Sequence, residues 1–118
     1  MSRSKSKPRR TVTDIEFLIL QALTLEALYG FKIVKEVEHL TKGARKLNVA
    51  SLYDALHRLQ RAKLIERCGE EIVDGRARRT YQITHSGLAA IHDKEQELRE
   101  LNAVMRRAKS AAAQRAEG

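Results

Sequence analysis

The chain has 118 residues, enough for one modest domain, and its core must be aliphatic because it holds only two Phe, three Tyr and no Trp. A formal net charge of +8 favours a polyanionic partner, either nucleic acid or an anionic membrane surface. We expect a soluble cytoplasmic protein, since we find no apolar run near ~20 residues, no signal peptide and no second cysteine for a disulfide framework.

The first ten residues carry five Lys or Arg, three Ser and the only Pro, with no acidic residue. This composition predicts a basic disordered arm over residues 1–12. Basic arms in other proteins track the DNA backbone or enter a groove. A solubilising tail or an expression remnant would have the same composition, so these alternatives stay open.

Two helices are predicted next. Thr13 and Glu16 have the spacing of a capping box, and the first helix should end near Ala27. Its apolar positions recur at helical spacing, at Ile15, Leu18, Ile19, Ala22 and Leu23. A second helix follows the break at Gly30 and ends before Gly43, which suits a left-handed cap. Its apolar face consists of Ile33, Val34, Val37 and Leu40.

A third helix is predicted to begin after Asn48, whose side chain can cap it. One stripe of this helix is apolar and consists of Val49, Leu52, Leu56 and Leu59. The opposite side is mostly polar and consists of Ala50, Asp54, His57, Arg58 and Arg61, flanked by Ser51 and Tyr53. One buried stripe and one polar face are typical of a helix that packs on a core and faces a partner.

A β-hairpin should follow this helix. The first strand is predicted over residues 64–72, the turn contains Asp74-Gly75, and the return strand covers residues 78–84 with Tyr81 and Ile83 facing inward. Together these elements predict a mainly α fold with a small β-hairpin, a winged helix-turn-helix over residues 13–85.

A long last helix is predicted over residues 86–116. At 1.5 Å per residue, even about 28 helical residues would span ~42 Å, more than so small a domain can cover. The apolar side chains along this helix therefore need a partner to cover them, most simply a second copy of the chain. We predict that the dimer interface contains the apolar residues Leu88, Ile91, Leu98, Leu101 and Met105.

Five pieces of the chain, in order and at matching spacing, resemble the PadR family of winged-helix transcriptional regulators: residues 28–33, 51–59, 64–66, 75–84 and Gly87. The single C-terminal helix is similar to the small-sized branch of that family. The chain departs from the family pattern at residues 49–54, where Val-Ala-Ser-Leu-Tyr-Asp stands in place of Pro-Gly-Thr-Leu-Tyr-Pro. The resemblance also implies a small, commonly aromatic effector in or near the dimer interface, although no Trp offers a stacking platform.

Two surfaces are candidates for DNA contact, the exposed face of the third helix and the hairpin, or wing. A recognition helix needs short polar or basic groups near its start, and a wing gains from arginine in the minor groove. The predicted contact residues are Ser51, Tyr53, His57, Arg58, Arg61, Arg76, Arg78 and Arg79. Alternation places Arg76 and Arg78 on one face of the strand and Arg79 on the other.

The alternative for these arginines is that they are only exposed to solvent, or that they pair with the nearby Glu70, Glu71 and Asp74. Asp54 is favourable in a first helical turn by roughly 0.3–1 kcal/mol through the helix dipole, and the rarer alternative is acceptance from a cytosine amino group.

Other chemistry has little support in the residues. We find no catalytic motif, and we expect no enzyme activity and no cofactor. Cys68 is interpreted as a small strand residue in preference to a redox sensor. Tyr29 should pack where the first two helices meet, the alternative being an effector pocket. No metal site is predicted from the four scattered histidines, His39, His57, His85 and His92.

These observations predict a homodimeric DNA-binding regulator, a repressor that occupies a pseudo-palindromic operator through the third helix and the wing. The alternatives are a winged-helix module that binds protein and one that binds RNA.

Overall fold

The computed structural model describes residues 11–117, so the predicted arm lies outside it except for its last two residues. The elements are α1 (Asp14–Ala22), β1 (Leu28–Tyr29), α2 (Gly30–Leu40), α3 (Val49–Arg61), β2 (Ile65–Val73), β3 (Arg76–Ile83) and α4 (His85–Glu117). The strands form one antiparallel sheet in the order β1-β3-β2. The predicted winged helix-turn-helix with a long C-terminal helix is confirmed.

The start of α1 is the predicted capping box. The Thr13 backbone N–H donates to Glu16 Oε1 at 2.9 Å, and the Glu16 N–H donates to Thr13 Oγ1 at 3.1 Å. The predicted end near Ala27 was wrong, since the helix ends at Ala22. Leu25 is 95% exposed and finds no core to join, and the chain beyond it must be extended to enter the sheet.

The short strand β1 was missed, so the predicted hairpin is in fact part of a three-stranded sheet. Leu28 pairs with Tyr81 and Tyr29 pairs with Thr80. Two residues carry no periodicity, and their partners lie far along the chain. The structure therefore adds a link between the start of α2 and the wing.

The hairpin has the predicted Asp-Gly turn. Asp74 and Gly75 have φ values of +52° and +77°, the consecutive left-handed residues that a two-residue hairpin turn of type I′ requires. The register shifts between Arg67 and Gly69, so Cys68 is the extra residue of a β-bulge. Tyr81 is buried in the core, as predicted.

The core lies between α1, α2, α3 and the base of the sheet, and α4 packs onto it through its first turns. Gly87 permits this close packing, because a Cβ there would collide with the Leu64 carbonyl oxygen and with the Ile83 side chain. The largest fully buried side chains are aliphatic, as predicted: Ile19, Leu20, Leu23, Ile33, Val37, Leu52, Leu56, Leu59 and Ile65.

A polar network joins α4 to α1. The Lys94 side chain is buried, and its Nζ lies 3.2 Å from Asp14 Oδ1 and 2.8 Å from Glu97 Oε1. The Thr11 hydroxyl donates to Glu97 Oε2 at 2.8 Å. The hydrogen bond to Glu97 raises the pKa of Lys94, so the ammonium stays charged despite its burial.

Two predicted assignments change in this region. Val12 belongs to the buried core and Thr11 bonds to α4, so these two residues are not part of a free arm. Ile91, predicted at the dimer interface, packs in the core of its own chain. Both changes have one cause, because α1 packs against the first turns of α4. Thr11 and Val12, which precede the cap of α1, are therefore held beside the same helix.

The rest of α4 extends beyond this contact. The helix has 33 residues, about 50 Å at 1.5 Å per residue. Its exposed large apolar residues are Leu88, Leu98, Leu101, Val104 and Met105. Within residues 11–117, no helix has the length and apolar character needed to cross a membrane.

Candidate nucleic-acid interface

The helix α3 begins as predicted, with the Ser51 N–H donating to Asn48 Oδ1 at 2.8 Å. Leu52, Leu56 and Leu59 are buried, which confirms most of the apolar stripe. Val49 was wrongly placed on that stripe, because it is 69% exposed. Its turn projects past the edge of the core before the helix meets α1 and α2.

The polar side of α3 faces away from the core. Ser51, His57 and Arg61 are exposed, and Tyr53 is 49% exposed with its ring directed toward the start of α2. A Cβ at position 30 would lie 2.9 Å from the Tyr53 hydroxyl, so the absence of a side chain at Gly30 lets the ring approach the helix.

Arg58 is held by α1. Its Nε donates to Glu16 Oε2 at 2.6 Å, while the other Glu16 oxygen accepts from Thr13 in the capping box. Burial alone would raise the pKa of Glu16, but the hydrogen bonds from Arg58 and Thr13 outweigh it and leave the pKa below its usual value. Arg58 therefore ties α3 to α1, and only its remaining guanidinium nitrogens are available for the predicted DNA contact.

The wing arginines have different neighbours. Arg79 Nε lies 3.7 Å from Glu70 Oε1, and Arg67 Nη1 lies 3.6 Å from the same oxygen. These exposed pairs agree with the expected pairing to nearby acids and contribute only ~0–1 kcal/mol each. Arg76 follows the turn at the tip of the hairpin and is exposed.

Arg78 instead lies over an aromatic ring. Its guanidinium carbon is 4.0 Å from the centre of the Tyr29 ring, a cation–π contact. Neither interpretation of Tyr29 anticipated this position in β1 beside the wing. No local pattern signals the contact, because the two residues meet only through the pairing of β1 with β3.

These groups border one cleft between the wing and the starts of α2 and α3, with a volume of about 500 Å³. Three of the five aromatic residues of the chain line it, Tyr29, Phe31 and Tyr53. The three wing arginines line it as well, against one carboxylate, that of Asp74. The cleft is therefore cationic and partly aromatic, which suits an anionic polymer with apolar sugar surfaces.

The structure thus divides the predicted contact residues into three groups. Tyr53, Arg76, Arg78 and Arg79 meet around the cleft, whereas Ser51, His57 and Arg61 are exposed along α3 outside its lining. Arg58 is engaged by Glu16. The sequence analysis did not place Tyr29 or Phe31 beside the predicted DNA-contact residues, and their only signal was an aromatic pair flanking Gly30.

The other candidate sites remain modest. The Cys68 thiol is exposed and lies 3.6 Å from the Thr80 carbonyl oxygen, to which it can donate. In the part of the chain that the structure describes, no group of three His, Cys, Asp or Glu side chains is placed to hold a metal ion.

Comparison with known proteins identifies the family. Residues 19–93 match the sequence profile of the transcriptional regulator PadR-like family. The match covers more than half of the chain, which therefore belongs to this family of transcription regulators.

Individual relatives agree. Transcriptional regulator Rv3488 of Mycobacterium tuberculosis is 36% identical over 64 residues, 54% of this chain and 59% of that protein. A PadR family transcription regulator from Clostridium difficile R20291 is 28% identical, with a TM-score of 0.66 over 80% of this chain and 97% of that one. Bacillus subtilis PadR, solved in complex with operator DNA, shares the fold at 21% identity and a TM-score of 0.61, over 69% of this chain and 46% of that one.

Proposed function

We propose that this protein is a sequence-specific DNA-binding regulator, a homodimeric repressor that occupies a pseudo-palindromic operator. The observation that carries the proposal is the cleft where Tyr53 of α3 meets Arg76, Arg78 and Arg79 of the wing. A recognition helix and a wing must act on adjacent grooves of one duplex, so their charged groups need to lie side by side. The operator complex of Bacillus subtilis PadR, a protein of the same fold, supports this interpretation.

The two surfaces have separate tasks in this proposal. The first turns of α3 enter the major groove, where Ser51 and Tyr53 offer hydroxyl groups to phosphate while His57 and Arg61 reach base edges or the neighbouring backbone. The wing lies along the minor groove, whose negative potential attracts arginine. Each neutralised phosphate releases counterions, so affinity should fall steeply with salt.

The dimer is proposed from the two halves of α4. The residues buried in the first turns of α4 lie on one stripe of the helix. Leu98, Leu101 and Met105 continue this stripe and are 40–61% exposed. The first half of this stripe is covered by the chain itself, and the second half needs a cover of the same apolar character. A second copy supplies it, and a two-fold axis would set the two α3 helices about one duplex turn apart, roughly 34 Å. Leu88 lies on another side of the helix, beside Glu66 and Ile83 at the base of the wing.

We keep the predicted organisation as part of this proposal: a basic N-terminal arm, a winged-helix domain to residue 85, and a dimerisation helix over residues 86–116 of a cytoplasmic protein. The candidate site for a small-molecule effector lies beside the first turns of α4. A cavity of about 310 Å³ there is lined by apolar and polar side chains: Val12, Ala62, Leu64 and Ala90, together with Thr11, Ser86 and Asp93.

The test compares the full chain with the triple variant Arg76→Ala, Arg78→Ala, Arg79→Ala. Fragments of the source genome bound by the wild-type protein would first be selected and sequenced to define the operator. Fluorescence anisotropy would then measure affinity for that duplex across a salt series, with structured RNA as competitor. We expect the variant to bind more weakly and to show a shallower salt dependence, by ~0.9 in slope for each phosphate that it no longer neutralises.

Two results would contradict the proposal. One is a wild-type protein that shows no affinity for any duplex at low salt, or that prefers the RNA. The other is a triple variant with unchanged affinity and unchanged salt slope. A reporter gene placed behind the selected operator separates repression, which we expect, from activation.

A further inference from the structure

The Tyr29–Arg78 stack at the wall of the cleft is produced by the strand register. Tyr29 pairs with Thr80 in β3, so Arg78 is its diagonal neighbour on the same face of the sheet. Diagonal neighbours lie about 7–8 Å apart, within reach of an aromatic ring and a long side chain. The guanidinium carbon lies 4.0 Å from the ring centre, so the two groups are in direct contact.

Arg78 differs from Arg79 in having an aromatic stacking partner in place of a carboxylate. Arg79 lies beside Glu70, and Glu71 stands opposite Arg78 in the register. Among residues 11–117, however, no acidic side chain lies within ion-pair distance of Arg78. A guanidinium stacked on a ring keeps its N–H groups in the plane and free to donate.

We propose that Tyr29 is a positioning residue, which holds Arg78 at the wall of the cleft so that its guanidinium donates to a backbone phosphate of duplex DNA. The inference rests on the proposed DNA-binding function. Phosphate is the matching ligand because the planar fork of arginine binds two phosphate oxygens at once. A free arginine loses most of its rotamer freedom when it binds, whereas the stack has already restricted Arg78.

The surroundings favour backbone over base contact. Arg78 lies two residues further from the hairpin tip than Arg76, and Tyr53 and Phe31 line the cleft beside it. Phe31 is 63% exposed, and Lys35 Nζ lies 5.4 Å from the centre of its ring. Apolar ring surface beside cationic groups suits deoxyribose beside phosphate.

The experiment measures affinity for the selected duplex across a salt series for Tyr29→Phe, Tyr29→Leu, Arg78→Ala and the double variant Tyr29→Leu, Arg78→Ala. Tyr29→Phe keeps the ring and should bind within about twofold of wild type. Tyr29→Leu should weaken binding about two- to fivefold, the effect of one cation–π contact at a partly exposed site. Arg78→Ala should weaken binding further and reduce the salt slope by ~0.9.

The double variant decides between positioning and a merely structural role. If Tyr29 acts through Arg78, Tyr29→Leu should cause no further loss of affinity once Arg78 is alanine. An equal loss in both backgrounds would overturn the inference, and so would full affinity in Tyr29→Leu.

Two further variants protect the test. Arg78→Lys keeps the charge but not the planar face, and its affinity should fall as that of Tyr29→Leu does, even if Tyr29→Leu folds poorly. Arg99→Ala, which removes a charge from an exposed site on α4, is the control and should show no coupling to Tyr29. A wild-type protein that binds no duplex would end the proposed function and this inference together. Wild-type binding with additive effects would end the inference alone.

Discussion

The two halves of α4 carry the same apolar stripe but meet different surroundings. In the first half, Ala90 and Ile91 are buried against their own chain, and Lys94 is paired with Asp14 and Glu97. In the second half, Leu98, Leu101 and Met105 continue the stripe and remain 40–61% exposed. Helical periodicity alone therefore marks a face that will be buried, but it does not say whether the chain or a partner buries it.

The largest effect should come from charging the uncovered half. The double variant Leu98→Glu, Leu101→Glu would place unpaired carboxylates in the proposed dimer seam, and a buried unpaired charge costs about 3–5 kcal/mol. We expect the dissociation constant of the dimer to rise at least about a hundredfold, as measured by sedimentation velocity over a concentration series. The circular dichroism melt of the isolated subunit should keep its cooperativity.

The matched variant Leu88→Glu adds the same charge at an exposed apolar residue off the stripe. It should leave association intact. Loss of the dimer in Leu88→Glu would return this residue to the interface, as the sequence predicted. A double variant that still dimerises would refute the stripe as the seam.

A smaller effect, of a different kind, is expected in the covered half. Ile91→Ala removes buried methyl groups from the core of one subunit and should lower the free energy of unfolding by about 2–5 kcal/mol. Urea unfolding would measure this change in the free energy of unfolding. The change should be the same at protein concentrations below and above the dissociation constant of the dimer. A change seen only at high concentration would assign Ile91 to the interface instead.

The smallest effect concerns Glu97, which lies where the covered half of α4 meets the exposed half. The hydrogen bond from Lys94, aided by one from Thr11, holds the pKa of Glu97 below its usual value. A lowered pKa stabilises the fold above the ordinary carboxyl range, and this contribution disappears as the pH falls through the lowered value. Glu97→Gln should therefore lower the melting temperature slightly at neutral pH, by less than Ile91→Ala.

The pH series supplies the control for this prediction. The difference in melting temperature between Glu97→Gln and wild type should shrink as the solution is acidified below the ordinary pKa of 4.5. A difference that stays constant down to low pH would show that the carboxylate charge is not what stabilises this contact.

Much of the fold was predictable because the signals are local. The capping box of Thr13 and Glu16, the Asn48 cap and the Asp74-Gly75 turn each depend on bonds or dihedral angles within a few neighbouring residues. The inward position of Tyr81 follows from strand alternation. The positive charge of the candidate site could be predicted, because the wing arginines stand next to the hairpin turn in the sequence. Tyr53 could be predicted from its place near the start of the third helix.

What the residues could not reveal are contacts between distant segments. The strand β1, the engagement of Arg58 by Glu16 and the stack of Tyr29 on Arg78 all depend on groups far apart in the chain. Periodicity and capping carry no information about such partners, because they report only which face of an element is apolar and where it begins. Packing chooses the partner, and it is packing that separates Ile91, buried in the core of its own chain, from Leu101, which is 52% exposed although it lies on the same stripe.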